Sequence, residues 1–402
     1  MGKKFFLISQ VFHPDEVSTA NLFTNLATVI KNDNYEVEIW CAQPCYSTQK
    51  RQPSKIIYNG INIHYLCSTN FKKKHVIGRF VNTLTFIISA CFRLIISTDK
   101  TPVFTHTTQP PVGIFLSFIC HLKKRKLCYV LLDIFPEGLI RLGKLSPDNF
   151  IAKIWHKLFI ASLKRCSLII SIGRDMKDWV EKKYPDHNGK IKYIPLWQDA
   201  SLVSPSPLNG NIYINEMNLK GRFVAQYSGN MGIWNEMSSI WKVINMKLEN
   251  VVFMLVGDGV RKGELIENIN SESKNVVLLP FQPTEKLGSL LTGCHVAFVT
   301  LKQGLEGMAV PSKIFGIMAA GVPVIALVPE NSEIAYIVRE EKCGYVLDPE
   351  DAAGLFNIIV NLQNNELLRK GMGTNGRKAF EEKYTTQVIA KQYEEVIETL
   401  LL

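Results

Sequence analysis

The sequence predicts an α/β protein of two domains, each a mainly parallel sheet with helices on its faces. Three observations lead there. Short apolar runs alternate with helical patterns, the signature of βαβ units. The alternation stops once, over residues 201–221, and then restarts. The 402 residues are 47% hydrophobic and 20% charged, enough at ~150 residues per domain for two separate cores.

The first run, Phe5–Ser9, follows Met1-Gly2-Lys3-Lys4 and has the outline of a short secretory leader. Ser9-Gln10 and then His13-Pro14-Asp15-Glu16 break the apolar run too early, so it reads as a buried strand. A helix near Thr19–Lys31 follows, then strands at Glu36–Trp40, Leu127–Leu132, Leu168–Ile172 and Lys192–Pro195. Phe80–Ser97 is apolar but holds Asn82 and Arg93 and barely reaches the ~20 residues of a spanning helix, so it is not read as transmembrane. The stretch 201–221, with Ser204-Pro205-Ser206-Pro207 and Asn209-Gly210, is the expected linker. Strands Phe223–Ser228, Val251–Val256, Val276–Leu279, His295–Thr300 and Val322–Leu327 follow, each bounded by Gly or Pro. The organisation expected is an N-terminal domain over 1–200, a linker over 201–221 and a C-terminal domain over 222–385. An amphipathic final helix over 386–402 is expected to pack back, on the N-terminal domain. No solenoid repeat is present.

The net charge of +10 is uneven: residues 1–200 carry 28 basic and 14 acidic side chains, residues 201–402 carry 18 and 22. A basic half attracts phosphate groups of lipid, nucleotide or nucleic acid, and charge alone does not choose among them. Phe71-Lys72-Lys73-Lys74-His75-Val76-Ile77-Gly78-Arg79 precedes the apolar Phe80–Ser97, and Ile114–Lys126 is a second apolar segment, ending in four cations. Such clusters suit an anionic bilayer surface, against the alternative of a core helix with a solvated basic loop. Nucleic acid ranks last, because the cations are not interleaved with aromatics in a recognised module. The nine cysteines form no CxxC pair and no zinc-spaced Cys/His cluster, so reduced thiols in a cytoplasmic protein without a structural metal are expected.

Tyr227-Ser228-Gly229-Asn230-Met231-Gly232 ends a strand before a helical pattern, where glycine lets backbone amides approach a phosphate or simply relieves a tight turn. Val256-Gly257-Asp258-Gly259 lacks GxGxxG spacing, Gly263 arriving one residue late, and shapes a turn with Asp258 as a possible cap. The richest stretch runs from Gly304-Leu305-Glu306-Gly307-Met308 through Pro311-Ser312-Lys313 to Gly321-Val322-Pro323. Pro311 suits a first helical position, Ser312 a cap, and the helix start with the Lys313 ammonium suits a diphosphate, with Glu306 in the loop before it, against the alternative of a solvated Glu306 and a surface Lys313. In the first half, Asp133 and Glu137 lie just past a strand end. They either meet substrate hydroxyls and assist proton transfer, or cap the next helix and pair with Arg141. His13–Thr19, with Ser18 and Thr19, and Thr105–Pro111, with His106, are further polar loops.

These residues in this order resemble bacterial glycosyltransferase family 4, within it the polysaccharide and O-antigen transferases similar to the L-fucosamine transferase. The resemblance runs over nearly the whole chain through VFHPDE, YNGINIHYL, TQPPVG, LDIFPE, IPLWQDASL, YSGNMG, VGDG and GLEGMAVPSKIFGIMAAGVPVIA. It implies the GT-B fold, two facing Rossmann-like domains with a cleft between them. It further implies a nucleoside diphosphate sugar on the C-terminal domain, an acceptor on the N-terminal domain, and transfer with retention, without metal or cofactor. By the same resemblance Gly229, Asn230, Gly232 and Gly257 line the phosphate site, while Ser312 and Lys313 hold the diphosphate. Glu306 with the amides of Gly307 and Met308 meets the donor sugar, and Phe281 and Gln282 meet the base. Asp133, with Glu137, Ser18, Thr19 and His106, faces the acceptor. Catalysis falls to Glu306, Lys313 and Asp133.

The chain departs from the family pattern in three places. The second glutamate of Glu-x7-Glu is absent, with Ile314 and Gly316 in that neighbourhood; Val17-Ser18-Thr19 replaces a glycine pair; and Asn230 and Glu236 stand where an Arg and a Lys are common. Lys313 is then expected to carry the missing charge. The acceptor expected is a polyprenyl-diphosphate-linked saccharide at the cytoplasmic face of the inner membrane, and the nucleotide UDP. A nucleotide-sugar 2-epimerase and a non-catalytic binding scaffold are the rival readings.

Overall fold

A computed structural model describes residues 3–45, 49–72, 76–187, 189–270 and 273–402. The chain forms two units, residues 1–195 with 386–402, and residues 196–385.

In the first unit near-continuous apolar runs form β1 (Lys4–Ser9), β2 (Glu36–Cys41), β3 (Lys55–Tyr58), β4 (Ile61–Tyr65), β5 (Val103–His106), β6 (Leu127–Leu131), β7 (Leu168–Ser171) and β8 (Ile191–Tyr193). They lie in the order β3-β4-β2-β1-β5-β6-β7-β8. All pairs are parallel except the β3/β4 hairpin, whose turn residues Asn59 and Gly60 hold the positive φ that a two-residue turn needs. β5 and β6 are buried throughout, as strands covered on both faces must be. The second unit holds β9 (Phe223–Ser228), β10 (Val251–Val256), β11 (Val276–Leu279), β12 (Val296–Thr300), β13 (Val324–Leu327) and β14 (Gly344–Leu347). They form one fully parallel sheet in the order β11-β10-β9-β12-β13-β14. Both are open Rossmann-like sheets, in which ligands are expected at the carboxyl ends of the strands.

One sequence expectation meets a different outcome. The stretch 201–221 is folded into the second unit rather than linking two domains. Val203 is buried, and Asn211 caps the helix Ile212–Glu216 while its amide donates to Ser289 O at 2.7 Å. Within the second unit the Gln198 amide donates to Tyr384 O at 3.1 Å. The final helix, Thr386–Leu401, belongs to the first unit: Tyr393 is buried beside Phe104, and Lys192 pairs with Glu395 at 3.0 Å.

The helix Val76–Ile96 is long and apolar enough to cross a membrane by length and composition. It lies along the first unit, because Asn82, Phe86, Ala90 and Leu94, spaced by four, are buried on one face. Asn82 is bonded to Thr69 and Phe71, and Arg93 donates to His64 at 3.1 Å beside Trp40. Lys73, Lys74 and His75 of the basic run lie outside the described residues.

Candidate functional site

At the carboxyl ends of β9 and β10 two loops meet backbone to backbone. Gly257 has φ +129°, and a Cβ on it would stand 2.1 Å from the Gly229 carbonyl oxygen; one on Gly259 would stand 2.4 Å from Met231 O. Only glycine permits that approach. A buried chain of hydrogen bonds fixes the loop: Thr300 donates to Asn235 Oδ1 at 2.9 Å, and Tyr227 and Asn235 donate to Asn230 O at 2.8 and 3.1 Å. Glu236 accepts from the amides of Met237 and Ser238 and pairs with Arg261, whose guanidinium also donates to Asn235 O. Gly232 is buried here and the Asn230 side chain is exposed.

Lys313 opens the helix Lys313–Ala319 and sends its ammonium back toward these glycines. Nζ lies 3.8 Å from the centre of the Tyr227 ring and 3.5 Å from where a Gly229 Cβ would stand. It is shut off from solvent with no hydrogen-bond partner, and burial pushes its pKa down to about 7. A cation in such a place gains from the ring quadrupole but is missing an anion. Lys262 adds a second cation, Nζ donating to the Gly257 carbonyl at 3.3 Å.

The loop before this helix turns at Gly304 and Gly307, both at positive φ, and holds Glu306 half-buried with Oε2 out of solvent. Several expectations need correction. The Met308 amide already donates to Leu305 O at 3.0 Å and its side chain is fully buried, so Met308 is a core residue. Ser312 does not cap: its backbone is helical, whereas a capping serine needs extended backbone to aim its hydroxyl at the helix amides. The helix begins at Lys313, so Pro311 precedes its first position. The Gln282 side chain is held at both ends, accepting from Tyr213 at 3.1 Å and donating to Pro280 O at 2.9 Å, while Phe281 beside it is 57% exposed. Gly316 is buried with Leu291 Cδ1 only 3.0 Å from its would-be Cβ, so apolar packing fills the place of a second glutamate.

In the first unit Asp133 follows β6, its amide and that of Leu132 donating to Thr107 Oγ1 at 3.0 and 2.8 Å. No described donor reaches its carboxylate, and burial raises its pKa to about 6. Between the ordinary carboxylate value and about 6 the folded state therefore binds the extra proton, and stability falls as pH rises through that window. Asp133→Asn is expected to flatten the dependence of melting temperature on pH between 4 and 6 and to raise it at pH 7, read by thermal melts across that range.

Two other expected acceptor residues are occupied by the protein itself. Glu137 pairs with His156 rather than facing outward. His106 is 3% exposed and stacked on Phe23, and burial pushes its pKa down to about 3. The Ser9 hydroxyl donates to Val11 O, so its contact with His106 Nε2 at 2.8 Å leaves Nε2 as the donor and the ring neutral. Ser18 is exposed at the start of the helix Ser18–Asn32, and the Thr19 hydroxyl accepts from Thr108 at 3.3 Å. Tyr227 was read only as part of a strand-end motif, and Asn235 and Lys262 escaped the sequence reading. Lys262 carries a local signal, as a cation five residues after a strand-end glycine.

Residues 219–379 match the family described as glycosyl transferases group 1. The matched residues lie within the second unit and span less than half of the chain. Over 271 residues, 67% of each chain, the protein is 27% identical to the probable glycosyltransferase WbjE of Pseudomonas aeruginosa. Over 253 residues, 61% of this chain and 59% of the relative, it is 25% identical to the capsular polysaccharide biosynthesis glycosyltransferase CapM of Staphylococcus aureus. Among solved structures it is similar to sucrose-phosphate synthase from Thermosynechococcus elongatus, with a TM-score of 0.78 at 14% identity over 99% of both chains. Anabaena HepE in complex with UDP-glucose gives 0.71 at 16% identity over 98% of this chain and 99% of that one. The chain has the GT-B fold, two Rossmann-like α/β domains.

Proposed function

We propose that the protein moves a sugar, an N-acetylated hexosamine or a close relative, from a UDP-linked donor to a lipid-linked saccharide. Transfer proceeds with retention and without a metal ion, in bacterial surface polysaccharide or O-antigen synthesis. It takes place at the cytoplasmic face of the membrane, on a polyprenyl-diphosphate-linked acceptor. The observation that carries the reading is the buried, unpartnered Lys313 ammonium beside the Gly229 and Gly257 strand ends. An anionic diphosphate is the group such a site lacks. The UDP-glucose bound to HepE and the polysaccharide role in the name of CapM support the choice of donor and pathway. Likeness to the L-fucosamine transferase subgroup supports an amino sugar.

In the reaction the bond from the anomeric carbon to the diphosphate breaks, and the acceptor oxygen bonds on the same face. The acceptor proton passes to a departing phosphate oxygen. Negative charge grows on the diphosphate, so Lys313 binds the transition state more tightly than the ground state. Lys262 is near enough to Gly257 to share that charge. The exposed ring of Phe281 stacks on the base, and Glu306 holds the donor sugar.

The test is incubation with a panel of UDP-sugars and a polyprenyl-diphosphate-linked saccharide. The expected result is UDP release that needs the acceptor, and a glycan one sugar longer with the donor's anomeric configuration kept. UDP release at an equal rate without acceptor, or an inverted linkage, would overturn the proposal.

A further inference from the structure

Large apolar side chains are exposed on this protein very unevenly. Fourteen of the twenty-four exposed among the described residues lie on three helices of the first unit, Val76–Ile96, Pro110–Leu122 and Phe150–Arg165. The three pack side by side, the second touching both others. Phe80, Phe92, Phe115, Phe118 and Phe150 are each about half exposed or more, and Ile88 is 60% exposed. Isolated exposed apolar residues are ordinary, but a contiguous patch on three neighbouring helices marks a surface that is covered in use.

The charge on these helices points to what covers it. Their 50 residues contain no Asp or Glu, yet carry Arg79, Arg93, Lys153, Lys157, Lys164 and Arg165. Arg93 is turned inward to His64, Arg165 lies over Phe118, and Lys153 has Asp148. Arg79, Lys157 and Lys164 are exposed with no ion-pair partner among the described residues, and Lys124 and Lys126 follow the second helix. A second copy of this face would bring like charges together. A cavity of about 480 Å³ opens here, lined by Gln10, Arg79, Phe80, Leu84, Phe115 and Trp155 among others. Gln10 Oε1 and Trp155 Nε1 are buried in it without partners.

We propose that this three-helix face seats the protein on an anionic phospholipid bilayer. The aromatic and aliphatic side chains enter the interface, and the free cations meet lipid phosphates. The helix Val76–Ile96 lies in the plane of the membrane, since its buried stripe stays packed on the unit. The cavity then opens toward the lipid. The inference extends the reading of a lipid-linked acceptor without depending on it.

The test is flotation of the full chain with phosphatidylglycerol/phosphatidylethanolamine vesicles and with phosphatidylcholine vesicles. The protein is expected to float with the anionic vesicles and to stay behind with the neutral ones. Arg79→Gln and Lys157→Gln should each weaken partitioning about fivefold. The triple variant Phe80→Ser/Phe115→Ser/Phe150→Ser should lose it by a factor of about a hundred or more, while keeping the wild-type melting temperature and UDP affinity. Wild-type protein that stays behind with anionic vesicles, or a triple variant that floats like wild type, overturns the proposal. So does a wild-type dimer that the triple variant dissociates. Protein that floats but transfers no sugar counts against the proposed function alone; protein that transfers sugar without floating counts against this docking face alone.

Discussion

Lys313→Ala should lower turnover at saturating donor about a hundredfold, while making the ligand-free protein more stable at pH 7. The loss follows because one charge-assisted donor to the departing diphosphate is worth ~3 kcal/mol in the transition state. The gain follows because the wild-type ammonium is buried, over the Tyr227 ring, without an anion. Its folded pKa is lowered to about 7 from an ordinary value of 10.5. Between those values the unfolded chain binds the extra proton, so wild-type stability rises with pH through that window. The variant should lack that slope. Steady-state kinetics and thermal melts between pH 7 and 10 read both effects. Wild-type turnover in the variant would remove Lys313 from the mechanism, and an unchanged slope would remove it as the buried cation.

Gly257→Ala should abolish nucleotide binding and lower stability by on the order of 3 to 5 kcal/mol. Its φ of +129° disfavours any side chain, and the new Cβ would meet the Gly229 carbonyl at 2.1 Å. Both atoms belong to strand ends, so relief requires β9 and β10 to part where the diphosphate is proposed to sit. At ~2 to 4 °C per kcal/mol for a unit of this size, the melting temperature should fall by roughly 10 °C. Gly263→Ala is the control: no atom lies within 4 Å of its would-be Cβ, and it stands in the helix Lys262–Asn268. Alanine there should be neutral or stabilise by up to ~1 kcal/mol. Differential scanning calorimetry of the two variants with and without UDP separates the effects.

The central strands β9 and β10 were legible in the sequence because a strand covered on both faces needs a near-continuous apolar run, whereas Thr105 and His106 of the equally buried β5 read as a polar loop. The β3/β4 hairpin was signalled by Asn59-Gly60, but its strands alternate in burial and show no apolar run. β14 is a four-residue edge strand with every residue half-buried, too short to stand out in the sequence. Serine and proline at 201–221 looked like a linker because composition reports local stiffness and not the distant carbonyl of Ser289 to which Asn211 donates.

In the site, the glycines and Lys313 could be found because backbone approach and helix starts have local signatures. What the neighbours do could not. The Tyr227 ring under Lys313, the Leu291 side chain against Gly316, and the partners of His106 and Glu137 all come from residues 19 to 97 positions away. The same limit applied to the membrane face. Two apolar and basic segments were visible in sequence, whereas the third helix, Phe150–Arg165, joins them only through packing.

The most direct test of the central claim is calorimetric titration of UDP into wild-type protein and Lys313→Met at pH 8, in buffers of different ionisation heat. In the ligand-free wild type Lys313 is then mostly neutral, and a diphosphate beside it raises its pKa again. Binding should draw close to one proton from the buffer, and affinity should weaken as pH rises from 7 to 9. Lys313→Met should bind at least tenfold more weakly and take up no proton. UDP binding to wild type without proton uptake, or equal affinity in the variant, would contradict the account that Lys313 is the buried cation awaiting the donor diphosphate.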